Sequence, residues 1–151
     1  MTVGQIKDIR FNDLQVATKP HPNDVYRYNP LADQCIARVT PEGKTLGRVI
    51  YSDYTGRGGS IQMHVTCWDP RWISRTLLYV AFDYPFNQLG VKKIFGHIRR
   101  TDVETIRFAL KAGFKAEAGI EGVYPDDDML IMALYRDDCR FLGVAPTDKV
   151  H

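Results

Sequence analysis

Apolar and polar residues alternate strictly over 61–67. Ile61, Met63, Val65 and Cys67 share one face, and Gln62, His64 and Thr66 share the other. A period of two predicts a strand, and Asp69-Pro70 ends it. From Trp72 the spacing becomes helical, with Leu78, Phe82, Phe86 and Leu89 along one side of a helix over about 72–89 and Gly90 closing it. Residues 91–98 return to a strand pattern. A helix between two strands needs a crossover, so strands 61–67 and 91–98 are expected to be parallel near neighbours. A second helix over 102–112 carries local signals. Thr101 and Glu104 fit a capping box, and Val103, Ile106 and Leu110 form its apolar stripe. Gly113 stands where a left-handed C-cap residue is wanted, and Phe114 can fold back onto Leu110 or Ala109.

The flanks read as hairpins. Residues 34–40 alternate as a strand, 41–44 turn, and 46–52 form the hairpin partner. The segment 55–60 is glycine-rich. A phosphate-binding loop runs from a strand into a helix, whereas this one joins two strands, so a hairpin tip is the better reading. Residues 1–31 carry less pattern: 5–11 offer a first strand, Pro20, Pro22 and Pro30 punctuate the rest, and 23–27 offer one helical turn. Beyond Phe114, 115–120 read as a strand and 122–128 as a polar turn. The nearly continuous apolar run 129–135 suits a strand buried on both faces. Asp126, Asp127 and Asp128 are expected to face solvent rather than a metal. From Asp137 onward a docked segment is expected, then a loose end.

Several of these stretches together resemble the GNAT superfamily of N-acetyltransferases. Residues 102–114, with Lys111, Gly113 and Phe114, are similar to its N-x-x-A-x-x-x-Y-x-K-x-G-F helix. Residues 65–72 resemble the end of its fourth strand and the start of its acetyl-CoA loop, and 82–94 its helix-to-strand passage. The resemblance spans about 32–136 and is closest to the short variants of phages and prophages. It implies an α/β fold: a mixed, mostly antiparallel sheet with a central, splayed parallel pair flanked by helices. Three positions depart from the family pattern. The pyrophosphate loop, Q/R-x-x-G-x-G/A, corresponds to 71–76, which hold no glycine; its asparagine is Asp102; its frequent helix tyrosine, often the proton donor, is Ala109. The two helices usual between the first two strands have little room in residues 1–31, which implies an open acceptor cleft.

Length and composition narrow the setting. The chain has 151 residues, 44% of them hydrophobic, which suits one domain over 1–151 with its own core. A net charge of +2 argues against a nucleic-acid surface. There is no long uncharged apolar run for a membrane span and no apolar signal region over 1–9. Cys35, Cys67 and Cys139 are too dispersed for a disulfide framework or a zinc site. The expected compartment is the cytoplasm, that of the host if the protein is phage-encoded.

Acyl transfer from a thioester to an amine needs a held pyrophosphate, a polarised carbonyl, a neutral amine and a protonated leaving thiolate. The resemblance places the pyrophosphate at the helix start after Asp69-Pro70, with Arg71, Ser74 and Arg75 adding two charges and a hydroxyl. It places backbone groups near Val65 and Cys67 against the acetyl carbonyl, and Asp102 beside the cofactor. His64, on the polar face of the same strand, has an unperturbed pKa suited to a base; a histidine merely hydrogen-bonded under the N-terminal region is the alternative. Tyr79, Tyr84, Tyr135, Ser74 and Cys67 are the candidate proton donors left open. The expected partners are acetyl-CoA and an unidentified amine acceptor, protein or small molecule, with a homodimer left open. A GNAT-like fold acting as a catalytically silent binding or structural protein is the other function compatible with the missing glycines and tyrosine.

Overall fold

The computed structural model describes residues 8–24 and 26–143. In chain order they form β1 (Ile9–Phe11), α1 (Leu14–Ala17), β2 (Gln34–Val39), β3 (Thr45–Ser52) and β4 (Ser60–Cys67). A 3-10 turn, Pro70–Trp72, leads to α2 (Arg75–Asp83), which runs on as a π turn over Tyr84–Gln88. Then come β5 (Lys93–Arg99), α3 (Val103–Ala112), β6 (Lys115–Tyr124), β7 (Asp127–Tyr135) and a last 3-10 turn, Arg136–Asp138. The strands form one seven-stranded sheet in the order β1-β2-β3-β4-β5-β7-β6. Every neighbouring pair is antiparallel except β4 and β5, which are parallel, as the crossover requires.

Strand alternation divides the two faces. Ile61 and Met63 of β4, with Ile94 and Ile98 of β5, lie in the main core with Trp72, Leu77, Phe82, Phe86 and Phe108. The opposite face of β2, β3 and β4 is covered by α1 and the irregular chain after it. There Val16 packs on Ala37 and Val39, and Ala17 on Cys35 and Ile50. Arg48 of β3 ties that cover down. It is buried, donates from Nη1 to the carbonyls of Val16 and Lys19, and reaches both oxygens of Asp24 at 3.0 Å through Nη2. Thr66 of β4 donates to the same carboxylate at 3.0 Å. A buried guanidinium demands this many partners, so the cluster fixes the cover in one position.

Several local expectations shift. The first helix begins at Arg75, not at 72, because the Ser74 hydroxyl caps it by accepting from Leu77 N at 3.0 Å. Its buried side is Thr76, Leu77, Val80, Ala81 and Phe82; Leu78 and Leu89 only flank the core. The cap of α3 is Asp102 rather than Thr101. Its carboxylate accepts from Thr105 N at 3.2 Å, while the Thr101 hydroxyl turns to Asp127 Oδ2 at 2.6 Å. The stripe of α3 is also displaced. Val103 and Leu110 are 57% and 58% exposed, and Thr105, Phe108, Ala109 and Ala112 face inward. Gly113 does adopt the left-handed C-cap, with φ of 103°. β6 and β7 extend to Tyr124 and from Asp127, shortening the expected polar turn, and only residues 132–134 of β7 are fully buried. Of the expected first strand, 5–7 lie outside the described residues. Asn23 and Asp24 form no helix, and Val25 is not described; the helical turn is α1, capped by Asp13. The tail docks by stacking Phe141 on Phe82 at 5.4 Å, and residues 144–151 lie outside the described part.

Candidate active site

β4 and β5 are bonded to each other over three residue pairs only: Ser60 with Lys93, Ile61 with Ile94 and Gln62 with Phe95. β4 continues along β3 to Cys67, and β5 along β7 to Arg99. From Met63 and Gly96 onward the two strands part in the middle of the sheet. A cleft opens there. One wall is Met63 to Thr66 of β4 and the other is Gly96 to Arg99 of β5. Asp102, Thr105, Phe108 and Ala109 of α3 close it on the core side, and Asp24 and Tyr26 border it on the N-terminal side. A second pocket continues outward between Val65–Cys67 and the start of α3 at Asp102, Glu104 and Thr105.

His64 lies on the β4 wall and is 8% exposed. Its ring stacks on Tyr26 with centroids 4.0 Å apart and planes 9° from parallel. Nε2 is 2.8 Å from Ser52 Oγ, and Nδ1 is buried with no hydrogen-bond partner among the described residues. Burial, then the charge of His97 on β5, brings its pKa down to about 4; Asp53 pulls weakly the other way. His64 is therefore a neutral imidazole at pH 7, with Nδ1 unpartnered on a ring that borders the cleft. Tyr26 donates to Asp33 at 2.7 Å, and burial, then that bond, pushes its phenol up to about 12.

The residues expected to hold the cofactor divide into two groups. Val65, Cys67 and Asp102 border the outer pocket beside the cleft. The Cys67 thiol is pushed up by burial and by Glu104, so it stays protonated. Arg71, Ser74 and Arg75 stand instead around the start of α2, next along the chain from the end of β4. Ser74 uses its hydroxyl as the cap. Arg71 is 80% exposed and held by Asp69 at 2.7 Å, a pair that lowers the Asp69 pKa. The first amides of α2, on Arg75 and Thr76, have no intrahelical acceptor.

Sequence reading missed four neighbours of His64: Ser52, Asp53, Tyr26 and His97. His97 had a usable signal, since it shares the polar face of β5 with Phe95 and Arg99. Ser52 had none, because only the register of β3 on β4 sets it beside His64. Of the candidate proton donors, Cys67 alone borders the outer pocket; the others line neither the cleft nor that pocket.

No family model matches the sequence, and no curated protein is similar to it. Solved structures are similar. The ribosomal-protein-S5-alanine acetyltransferase of Vibrio fischeri superposes with a TM-score of 0.59 at 17% identity over 73% of this chain. The chain spans 65% of that enzyme's length. The spermidine N-acetyltransferase of Vibrio cholerae, in complex with CoA and spermine, superposes with a TM-score of 0.58 at 19% identity, over 71% of this chain and 68% of that one. A dodecameric structure of the same enzyme gives 0.58 at 18% over 70% of this chain and 66% of that one. The fold is the GNAT acetyltransferase fold. Identities this low carry the GNAT architecture and leave the reaction to be argued from the cleft.

Proposed function

We propose that the protein is an acetyl-CoA-dependent N-acetyltransferase acting on a primary amine. The observation that carries this reading is the parting of β4 and β5 within an otherwise continuous sheet. Backbone donors and acceptors along Val65 and Cys67 are left without a strand partner on the β5 side, and a ligand with amide groups can complete that ladder. The pantetheine arm of acetyl-CoA has such amides. The free amides and positive dipole end of α2 suit its pyrophosphate, with Arg71 and Arg75 as added charges. The carboxylate of Asp102 lies close to the same groove and opposes an anion. When bound, the group supplies an activated acetyl carbonyl. His64 then offers an unprotonated nitrogen to the N–H of an amine arriving from the N-terminal side, and Tyr26 holds its ring in place.

Calorimetry with acetyl-CoA, followed by thiol release in the presence of amino-acid amides, polyamines and a peptide with a free N-terminus, tests the proposal. Heat of binding and thiol release with one amine class are expected. No heat and no thermal shift at millimolar acetyl-CoA would replace it with the silent, GNAT-like binding protein. That second reading draws on the glycine-free stretch 71–76, where Asp69 already holds Arg71. A cytoplasmic setting, the host's if a phage encodes the chain, and self-association of the kind seen in the dodecameric relative are parts of the same proposal; fractionation and light scattering test them.

A further inference from the structure

His64 is the inner end of a hydrogen-bonded line that runs from the cleft to solvent. Ser52 Oγ donates to Asp53 Oδ2 at 2.8 Å and lies 2.8 Å from His64 Nε2. A hydroxyl has one proton. The Tyr26 phenol also lies within hydrogen-bond reach of Ser52, but the acceptor-only carboxylate of Asp53 takes the Ser52 proton at 2.8 Å; Ser52 then accepts from His64, so Nε2 carries the imidazole proton. Nδ1 is left as the lone-pair nitrogen, buried and unpartnered, on a ring that borders the cleft. Ser52 is 2% exposed, whereas Asp53 is exposed to solvent. Asp53 holds a left-handed backbone with φ of 56°, a conformation aspartate tolerates better than most residues.

We infer that His64, Ser52 and Asp53 form a proton wire that carries the acceptor amine's proton out of the cleft; this rests on the acetyltransferase reading above. As the amine N–H bond breaks, its proton joins Nδ1 and the nitrogen keeps the electron pair for attack. Nε2 releases its proton to Ser52 Oγ, and Ser52 passes its original proton to Asp53 Oδ2. Three bonds to hydrogen break and three form. Asp53 then yields the proton to water. The reverse passage, fed from water at Asp53, restores the starting tautomer and brings a proton into the cleft.

The wire answers a physical difficulty. Burial under Tyr26 and the facing His97 strongly disfavour an imidazolium, so a lone His64 would be a poor base. An imidazole relieved at Nε2 as it is loaded at Nδ1 never becomes a cation. The ionisable groups around it are Tyr26 with Asp33 behind it, His97 of β5, and Asp24, which is paired to Arg48. None of these is hydrogen-bonded to Nδ1. His64 touches the substrate; Ser52 and Asp53 are positioning and relay residues that act through it.

Asp53→Asn separates the relay from structure. Asparagine keeps an acceptor oxygen for Ser52 and tolerates the left-handed backbone, but it takes up no proton. The ¹⁵N spectrum of the imidazoles in the full-length, ligand-free protein is expected to show His64 protonated at Nε2. With acetyl-CoA and an accepted amine, Asp53→Asn is expected to lower kcat roughly tenfold or more, leave the KM for acetyl-CoA within about twofold, and alter the solvent isotope effect on kcat. Ser52→Ala should do the same and also perturb the His64 tautomer. A wild type protonated at Nδ1, or Asp53→Asn with full kcat, overturns the wire while leaving the transferase reading intact. A wild type with the Nε2 tautomer and no acetyl transfer to any amine overturns the transferase reading, and the wire's role falls with it.

Discussion

The carbonyl oxygen of Met63 lies 2.4 Å from the point where a Cβ on Gly96 would stand. These two residues come directly after the last bonded pair, Gln62 and Phe95. The missing Cβ lets one strand's carbonyl settle over the other's backbone at the point of parting. Gly96→Ala is expected to push β4 aside, cost about 1–3 kcal/mol of stability and weaken acetyl-CoA binding. A denaturant midpoint and a calorimetric titration measure the two effects. Unchanged values in both would mean that the geometry at Gly96 does not shape the cleft.

The inward face of α3 differs from its most apolar-looking stripe. Phe108 packs on Trp72 with ring centroids 5.2 Å apart, while Leu110 is largely exposed. Phe108→Ala is expected to cost about 3–5 kcal/mol, and Leu110→Lys to stay within about 0.5 kcal/mol. Urea unfolding of the two variants checks the assignment, and the reverse ranking would contradict it.

Asp102 has two opposed effects. It caps α3, and it puts a carboxylate beside the groove proposed for an anionic cofactor. Asp102→Asn keeps an acceptor oxygen for the cap and removes the charge, so acetyl-CoA is expected to bind a few-fold more tightly with little change in stability. Asp102→Ala loses the cap and should cost about 1 kcal/mol. Weaker binding by the asparagine variant would show that the carboxylate itself makes a favourable contact with the ligand.

Charge-assisted contacts are worth roughly 1.5–3 kcal/mol each, so Arg71→Ala combined with Arg75→Ala should erase the heat of a micromolar complex. Added salt should weaken the wild-type complex. Full binding by the double variant would place the pyrophosphate elsewhere on the protein.

His64 also sets a pH dependence. Its pKa falls from 6.5 to about 4 on folding, burial being the main cause. Below pH 6.5 the unfolded chain takes up a proton that the folded chain refuses. This contribution is therefore complete above pH 6.5, declines as pH falls and is gone below pH 4, amounting to roughly 3 kcal/mol. Stability measured between pH 4 and 6.5 should slope less steeply in His64→Gln. Parallel slopes for the two proteins would assign the loss to other groups.

What the sequence determined by itself is the part of the architecture written in local pattern. The alternation of 61–67, the helical spacing after it and the return to a strand at 91–98 required a crossover, and so a parallel pair. Gly113 announced its own left-handed cap. These signals are short-range: they depend on residues within a turn or a strand of one another. The faces and partners were decided only in three dimensions. Val103, Ile106 and Leu110 formed as good a stripe as Phe108, Ala109 and Ala112, and Trp72 and the sheet chose the second. Thr101 was as good a cap as Asp102 until Asp127, far along the chain, took its hydroxyl. Ser52 and His64 are 12 positions apart and meet because β3 and β4 pair in one register, with Ile50 opposite His64. Cleft and wire alike depend on that register and on where β4 and β5 part, which are properties of strand pairing across the sheet rather than of any one stretch of chain.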